Sequence, residues 1–156
     1  MKVFLSHKAE DVGIASSVSA RLKDSGSDVY LDVIDPDTST ADDLTQHIRG
    51  RLGECSDLMA VISNRTQASW WVPWEIGVAT EKDYPLATFA ADNCAVPEYL
   101  RKWPYLRNMS DVDLYVRVRK QADQTINERY SYKSAPERRP LFVKQFHASL
   151  KAALGQ

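Results

Sequence analysis

The sequence predicts a three-layer α/β domain, with a central parallel sheet of four to five strands and helices packed on both faces. Three observations predict it. Four short apolar runs punctuate the first ninety residues. Three of them, KVFLS (2–6), LMAVIS (58–63) and LATFA (86–90), are nearly continuous in apolar or small residues, which is how strands covered on both faces read. Helical periodicity fills the intervals, and the resulting order βαβαβαβ implies a parallel sheet joined by crossover helices.

Each element has its own signal. After KVFLS, the residues Ala15, Val18 and Leu22 fall at spacings of three and four, predicting a helix over 11–25 with Gly26 as its stop. DVYLD (28–32) is the second strand. Leu44, Ile48 and Leu52 repeat every four residues, predicting a helix over 40–53. Thr40 caps it, and Asp42 and Asp43 suit its positive end. LMAVIS is the third strand. A helix then begins near Ser69, because Pro73 is tolerated only in a first turn, where backbone N–H groups have no helical partner. LATFA is the fourth strand. PEYLRKWPYLRNM (97–109) predicts a turn or short helix and a fifth short strand near Tyr105–Arg107. Ser110 opens a helix with Asp113 at the fourth position, a capping box with a shortened acid, and Tyr115, Val118, Ala122 and Ile126 form its apolar stripe. The polar stretch 127–140 reads as a loop, with Arg138 and Arg139 in solvent. Phe142, Phe146, Leu150 and Leu154 predict a final helix over 141–154.

Length and composition bound the function. The 156 residues predict a single domain spanning 1–156, with 44% hydrophobic and 26% charged residues, ordinary for a globular protein. With the first strand starting at residue 2, no sensor or effector domain is expected on this chain. A net charge of −1 argues against nucleic acid or an anionic membrane as partner. No apolar run reaches the roughly 20 residues of a membrane span, and the N-terminus lacks the apolar stretch of a signal peptide. Cys55 and Cys94 are isolated in sequence and are read as reduced thiols of a cytoplasmic protein. His7, His47 and His147 are too scattered to suggest a metal site, so no metal and no cofactor are expected.

The chemistry-bearing stretch is SWWVPWEIG (69–77), with three tryptophans around one glutamate. In an open α/β sheet, ligands bind outside the carboxyl ends of the strands. Ser6, His7 and Lys8 end the first strand, Tyr30 and Asp32 lie at the end of the second, and Ser63-Asn64-Arg65 follow the third, leading toward Glu75. A helix start favours an ionised Glu75. Tryptophans that exclude water strengthen its field on a neighbouring cation. Such a carboxylate suits an oxocarbenium ion, the transition state of glycosidic cleavage, for which glycosidases normally supply two carboxylates. A single one suffices when the leaving group needs no proton, as with the cationic pyridinium of NAD. The other reading is a core helix start in which Glu75 only answers the helix dipole. His7 is either a phosphate or ribose contact or a solvated loop residue, Lys8 either a pyrophosphate partner or a surface lysine, and Asp32 either a pocket residue or a structural hydrogen-bond partner. Cys55 reads as a small buried hydrophobe.

Together these segments resemble a TIR domain. VFLSHKAED (3–11) is similar to the family's first-strand box. DVYLD with its acidic loop resembles the second strand and BB loop, and Trp71-Val-Pro-Trp-Glu75 resembles the W-x-x-x-E of TIR domains that cleave NAD. VPEYLRKWPYL is similar to the late part of bacterial members. The likeness covers about residues 2–125. It implies a flavodoxin-like TIR fold. It also implies an enzyme that takes NAD as substrate and hydrolyses it to nicotinamide and ADP-ribose, or cyclises it to a cyclic ADP-ribose isomer. Glu75 would be catalytic, Ser6, His7 and Lys8 would line the nucleotide site, Tyr30 would stand on the nicotinamide side, and Trp71 would pack beneath. The resemblance further implies homo-oligomers through TIR–TIR contacts. In stand-alone bacterial members it implies an antiphage role of the Thoeris type, in which a separate effector reads a diffusible product. The loop VIDPDTSTA (33–41) departs from the family pattern. It lacks the usual Arg and Pro-Gly and carries Asp35 and Asp37 instead. Two other functions share the fold: a non-enzymatic TIR scaffold signalling by self-association, for which Glu75 has no use, and a nucleoside deoxyribosyltransferase-like enzyme, for which no base-reading residues are evident.

Overall fold

A computed structural model describes residues 1–33, 50–66, 77, 80 and 83–156. Five parallel strands form one sheet in the order β2-β1-β3-β4-β5. They are β1 (Lys2–His7), β2 (Asp28–Val33), β3 (Asp57–Ile62), β4 (Leu86–Ala90) and β5 (Tyr105–Leu106). Helix α1 (Val12–Asp24) links β1 to β2, and α2 (Met109–Arg129) and α3 (Ala135–Leu154) close the chain. The four long strands thus fall within a residue or two of the apolar runs, and the predicted fifth strand is present.

Strand alternation splits the core into two layers. Val3, Leu5, Met59, Val61, Ala87 and Phe89 face one side, where α1, α2 and α3 cover them. Phe4, Leu58, Ala60, Ile62, Leu86 and Ala90 face the other, with Leu52 packed on them from the helical residues 50–53. Every residue of β3 and β4 is buried, as the continuous apolar runs require. On the first face, the rings of Tyr115, Phe142 and Phe146 pack at centroid distances of 5.5 and 6.1 Å. Each such buried ring contributes roughly 1.5–3 kcal/mol. The carboxylate of Asp57, fully buried at the start of β3, sits in this layer. It accepts from Arg119 Nε at 2.7 Å, from the Tyr115 hydroxyl at 3.1 Å and from the Ser56 hydroxyl at 2.5 Å.

Two expectations are corrected. The cap of α2 is Asn108, not Ser110. Its Oδ1 accepts from the Asp111 N–H at 3.0 Å, and Asp111 Oδ2 accepts from the Arg107 N–H at 2.7 Å. Asp113 is therefore released from capping and binds Arg21 on α1 at 2.5 and 2.7 Å. Nor is 127–140 a loop: α2 continues to Arg129 and α3 begins at Ala135, not at 141. Ser134 and Glu137 form a complete capping box, and Pro136 lies in the first turn, where a missing N–H costs nothing. The polar composition of this stretch is that of two exposed helix ends, and Pro140 is accommodated inside α3. Arg138 and Arg139 are half-buried rather than solvated. Of the helix expected over 40–53, only residues 50–53 are described, and they are helical. Most of the one expected from Ser69, including Pro73, lies outside the described residues.

Candidate functional site

The strand order changes direction at β1. The connection from β2 to β3 crosses it, so β1 and β3 are the neighbours whose loops diverge. A crevice opens at the carboxyl ends of such a pair. Ser6 and His7 are the last two residues of β1, both buried, at 2% and 3% exposure. Ser6 aligns with Asp32 on β2 and with Ala60 on β3. By alternation Ser6 shares a face with Phe4, while His7 shares one with Val3 and Leu5. Lys8, half-buried and extended (φ −85°, ψ 159°), leads into the 3-10 turn Ala9–Asp11.

A network of side chains, buried at Asp11, Ser63 and Thr66, ties the loops of this rim together. Asp11 stands at the N-cap position of α1 yet makes no side-chain cap. It is 1% exposed, and its Oδ2 accepts a short hydrogen bond from the Thr66 hydroxyl, beyond the end of β3. Thr66 Oγ1 accepts from the Ser63 N–H at 3.0 Å, and Ser63 Oγ from the Arg65 N–H at 3.2 Å. One strand further on, Asn64 Nδ2 donates to the Asp92 carbonyl at 3.3 Å, in a turn where Asp92 and Asn93 adopt φ of +52° and +51°. Asn and Asp tolerate that left-handed conformation better than other side chains. Arg107, after β5, donates to the Cys94 carbonyl at 2.6 Å. Burial pushes the Cys94 thiol up despite the nearby Arg107. Hydrogen bonds therefore link the loops after β1, β3, β4 and β5 at one end of the sheet.

The structure brings Ser6, His7 and Lys8 to the rim and sets Asp32 beside Ser6. Tyr30 lies two residues short of it, paired with Phe4. Its ring stacks on Phe4 at 5.6 Å, and the Arg51 guanidinium lies 5.3 Å from its centre. Trp71 and Glu75 lie outside the described residues. Sequence reasoning did not assign Asp11 and Thr66 to the site. An acid at the start of a helix reads as a cap, and only the approach of the loop after β3 shows its actual partner.

The family model for the TIR domain matches residues 3–128. The chain belongs to the TIR domain family. Among solved structures, this TIR domain is similar to the Clostridium botulinum CMP N-glycosidase BcmB, with a TM-score of 0.53 and 18% identity over 74% of this chain and 99% of that one. It also matches the TIR domains of the activated Roq1 resistosome directly recognizing the pathogen effector XopQ, with a TM-score of 0.45 and 16% identity over 94% of this chain and 83% of that one. At these identities the first likeness speaks for the fold alone. No curated protein matches the sequence.

Proposed function

We propose that this TIR domain cleaves the bond between nicotinamide and ribose in NAD, with Glu75 as the catalytic carboxylate. The observation that carries the reading is the W-x-x-x-E string of Trp71 and Glu75, which falls inside the matched TIR segment 3–128 and, in sequence, between β3 and β4. The C1′–N bond breaks with its electron pair going to the pyridinium nitrogen, so nicotinamide leaves neutral and no general acid is required. The positive charge left on the ribose is stabilised by the carboxylate in a site where aromatic rings displace water. Attack by water, with loss of its proton to solvent, gives ADP-ribose; attack by a nucleophile of the same molecule gives a cyclic isomer. Ser6, His7 and Lys8 supply polar contacts to ribose and pyrophosphate from the end of β1, beside Asp32. Tyr30 contributes ring area on the nicotinamide side, and Trp71, four residues before Glu75 in sequence, has a packing rather than a reacting role. The neighbour named as a CMP N-glycosidase acts, by that name, on the same general bond type.

In the same reading, copies associate through TIR–TIR contacts that complete the site. The nucleotide product diffuses to a separate effector, as in Thoeris-type antiphage defence. A cytoplasmic setting suits the free, buried Cys55 and Cys94.

The test is release of nicotinamide from NAD by the purified, concentrated protein, followed by chromatography with Glu75→Gln in parallel. Release by the wild type and loss in the variant are expected, and the mass of the second product distinguishes hydrolysis from cyclisation. Oligomers without any release favour a scaffold, base exchange between nucleosides favours a deoxyribosyltransferase, and undiminished activity of Glu75→Gln refutes the site.

A further inference from the structure

A second cavity lies at the other end of the sheet. Its volume is about 270 Å³, and its wall includes Ser56 and Pro85, which immediately precede β3 and β4. It is thus separated from Ser6 and His7 by the length of the strands. The floor is apolar, formed by buried Pro85, Ile126 and Phe142, and three guanidiniums surround it, those of Arg119, Arg138 and Arg139. Among the described residues, Asp123 is the one carboxylate in the lining.

The three arginines are not equivalent. Arg119 is held by Asp57 at 2.7 Å and Asp123 at 3.8 Å, and lies 4.1 Å from the centre of the Phe142 ring. Arg139 donates to the Asp83 carbonyl at 3.2 Å and stands 4.7 Å from the Tyr84 ring centre. Both are held by these contacts. Arg138 is half-buried beside the same floor, and among the described residues no carboxylate pairs with it. Drawing a guanidinium out of water without a counter-ion is unfavourable, and an incoming anion restores that loss through charge-assisted bonds. The start of α3 is not the anchor, because Ser134 and Glu137 already close it.

We propose that this cleft binds a small phosphate-bearing ligand carrying one ring, with Arg138 as its principal anchor. The phosphate meets the Arg138 guanidinium, and the ring lies on Ile126, Phe142 and Pro85. The volume is slightly below that of most ligand pockets, roughly 300–1,000 Å³. It admits a phosphate and one ring but not a dinucleotide. The proposal is therefore independent of the NAD reading.

Calorimetric titration of the full chain tests it, with phenyl phosphate as probe and inorganic phosphate and phenol as single-feature controls. Phenyl phosphate is expected to bind with Kd near or below about 1 mM, inorganic phosphate more weakly and phenol most weakly. Arg138→Gln weakens phenyl phosphate by roughly tenfold or more at an unchanged melting temperature. Arg138→Lys recovers part of the loss, since it keeps the charge but not the fork. Asp123→Asn tightens binding by removing the competing carboxylate. Glu75→Gln leaves it at the wild-type value, which keeps this site distinct from the proposed catalytic one. The proposal is overturned if phenyl phosphate binds no better than phenol, if Arg138→Gln retains full affinity, if Asp123→Asn fails to tighten, or if Glu75→Gln abolishes binding.

Discussion

Acidification should weaken this fold through one histidine. In the parallel ladder, Thr88 N–H donates toward β5, to the Pro104 carbonyl. The N–H of Leu86, two residues earlier, points to the same side, where β5 has not yet begun. His147 on α3 fills the gap: its Nε2 accepts from Leu86 N–H at 3.0 Å, while its ring lies against Phe146 at 5.6 Å. A protonated Nε2 would turn a second donor toward that N–H. Burial, with a further contribution from Lys151, holds the His147 pKa at about 4 instead of 6.5. Between these values the unfolded chain binds a proton that the folded one excludes. Stability from this group is therefore complete above the unfolded value and falls as pH drops toward 4. The full loss is roughly 3 kcal/mol, and about 2 kcal/mol of it is reached by pH 5. Urea unfolding of the wild type and of His147→Gln, at about pH 7.5 and about pH 5, measures it. Gln keeps an acceptor but cannot titrate, so the wild type should lose about 2 kcal/mol more than the variant. Equal losses in the two proteins, or an NMR titration of His147 near its ordinary value, would refute the reasoning.

Two further outcomes are expected besides those stated for Glu75 and Arg138. Asp57→Ala strands the Arg119 guanidinium and the Tyr115 hydroxyl in the interior, and should cost about 3–5 kcal/mol in denaturant unfolding; a loss below 1 kcal/mol would mean that water replaces the carboxylate. Thr66→Val removes the donor that joins the loop after β3 to Asp11. Nicotinamide release should fall several-fold with the melting temperature shifted by only a few degrees, and unchanged turnover would show that this tie does not position the site.

The strands were legible because their chemistry is local. A strand buried on both faces must be apolar throughout, and LMAVIS and LATFA have no other economical reading. The stripe Phe142, Phe146, Leu150 and Leu154 likewise marked α3 by its period. The errors arose where one residue type serves several purposes. Asn108, Ser110, Asp111 and Asp113 are all plausible caps within one turn, and in the fold Asn108 takes the role while Asp113 pairs with Arg21 on another helix. The stretch 127–140 looked like a loop because helix ends are polar, and the reciprocal bonds of Ser134 and Glu137 identify it as a helix start.

By itself, then, the sequence determined the layer architecture, the order of its elements and the TIR signature that includes Trp71 and Glu75, because each depends on residues close together along the chain. Only the tertiary structure decided that Asp11 serves Thr66 instead of capping α1, that His147 completes the edge of β4, and that Arg138 lies half-buried at the end of the sheet opposite Ser6. Those partners are separated by dozens of residues, and a hydrogen-bonding group has no preferred partner until folding brings one within about 3 Å and removes the water that competes for it.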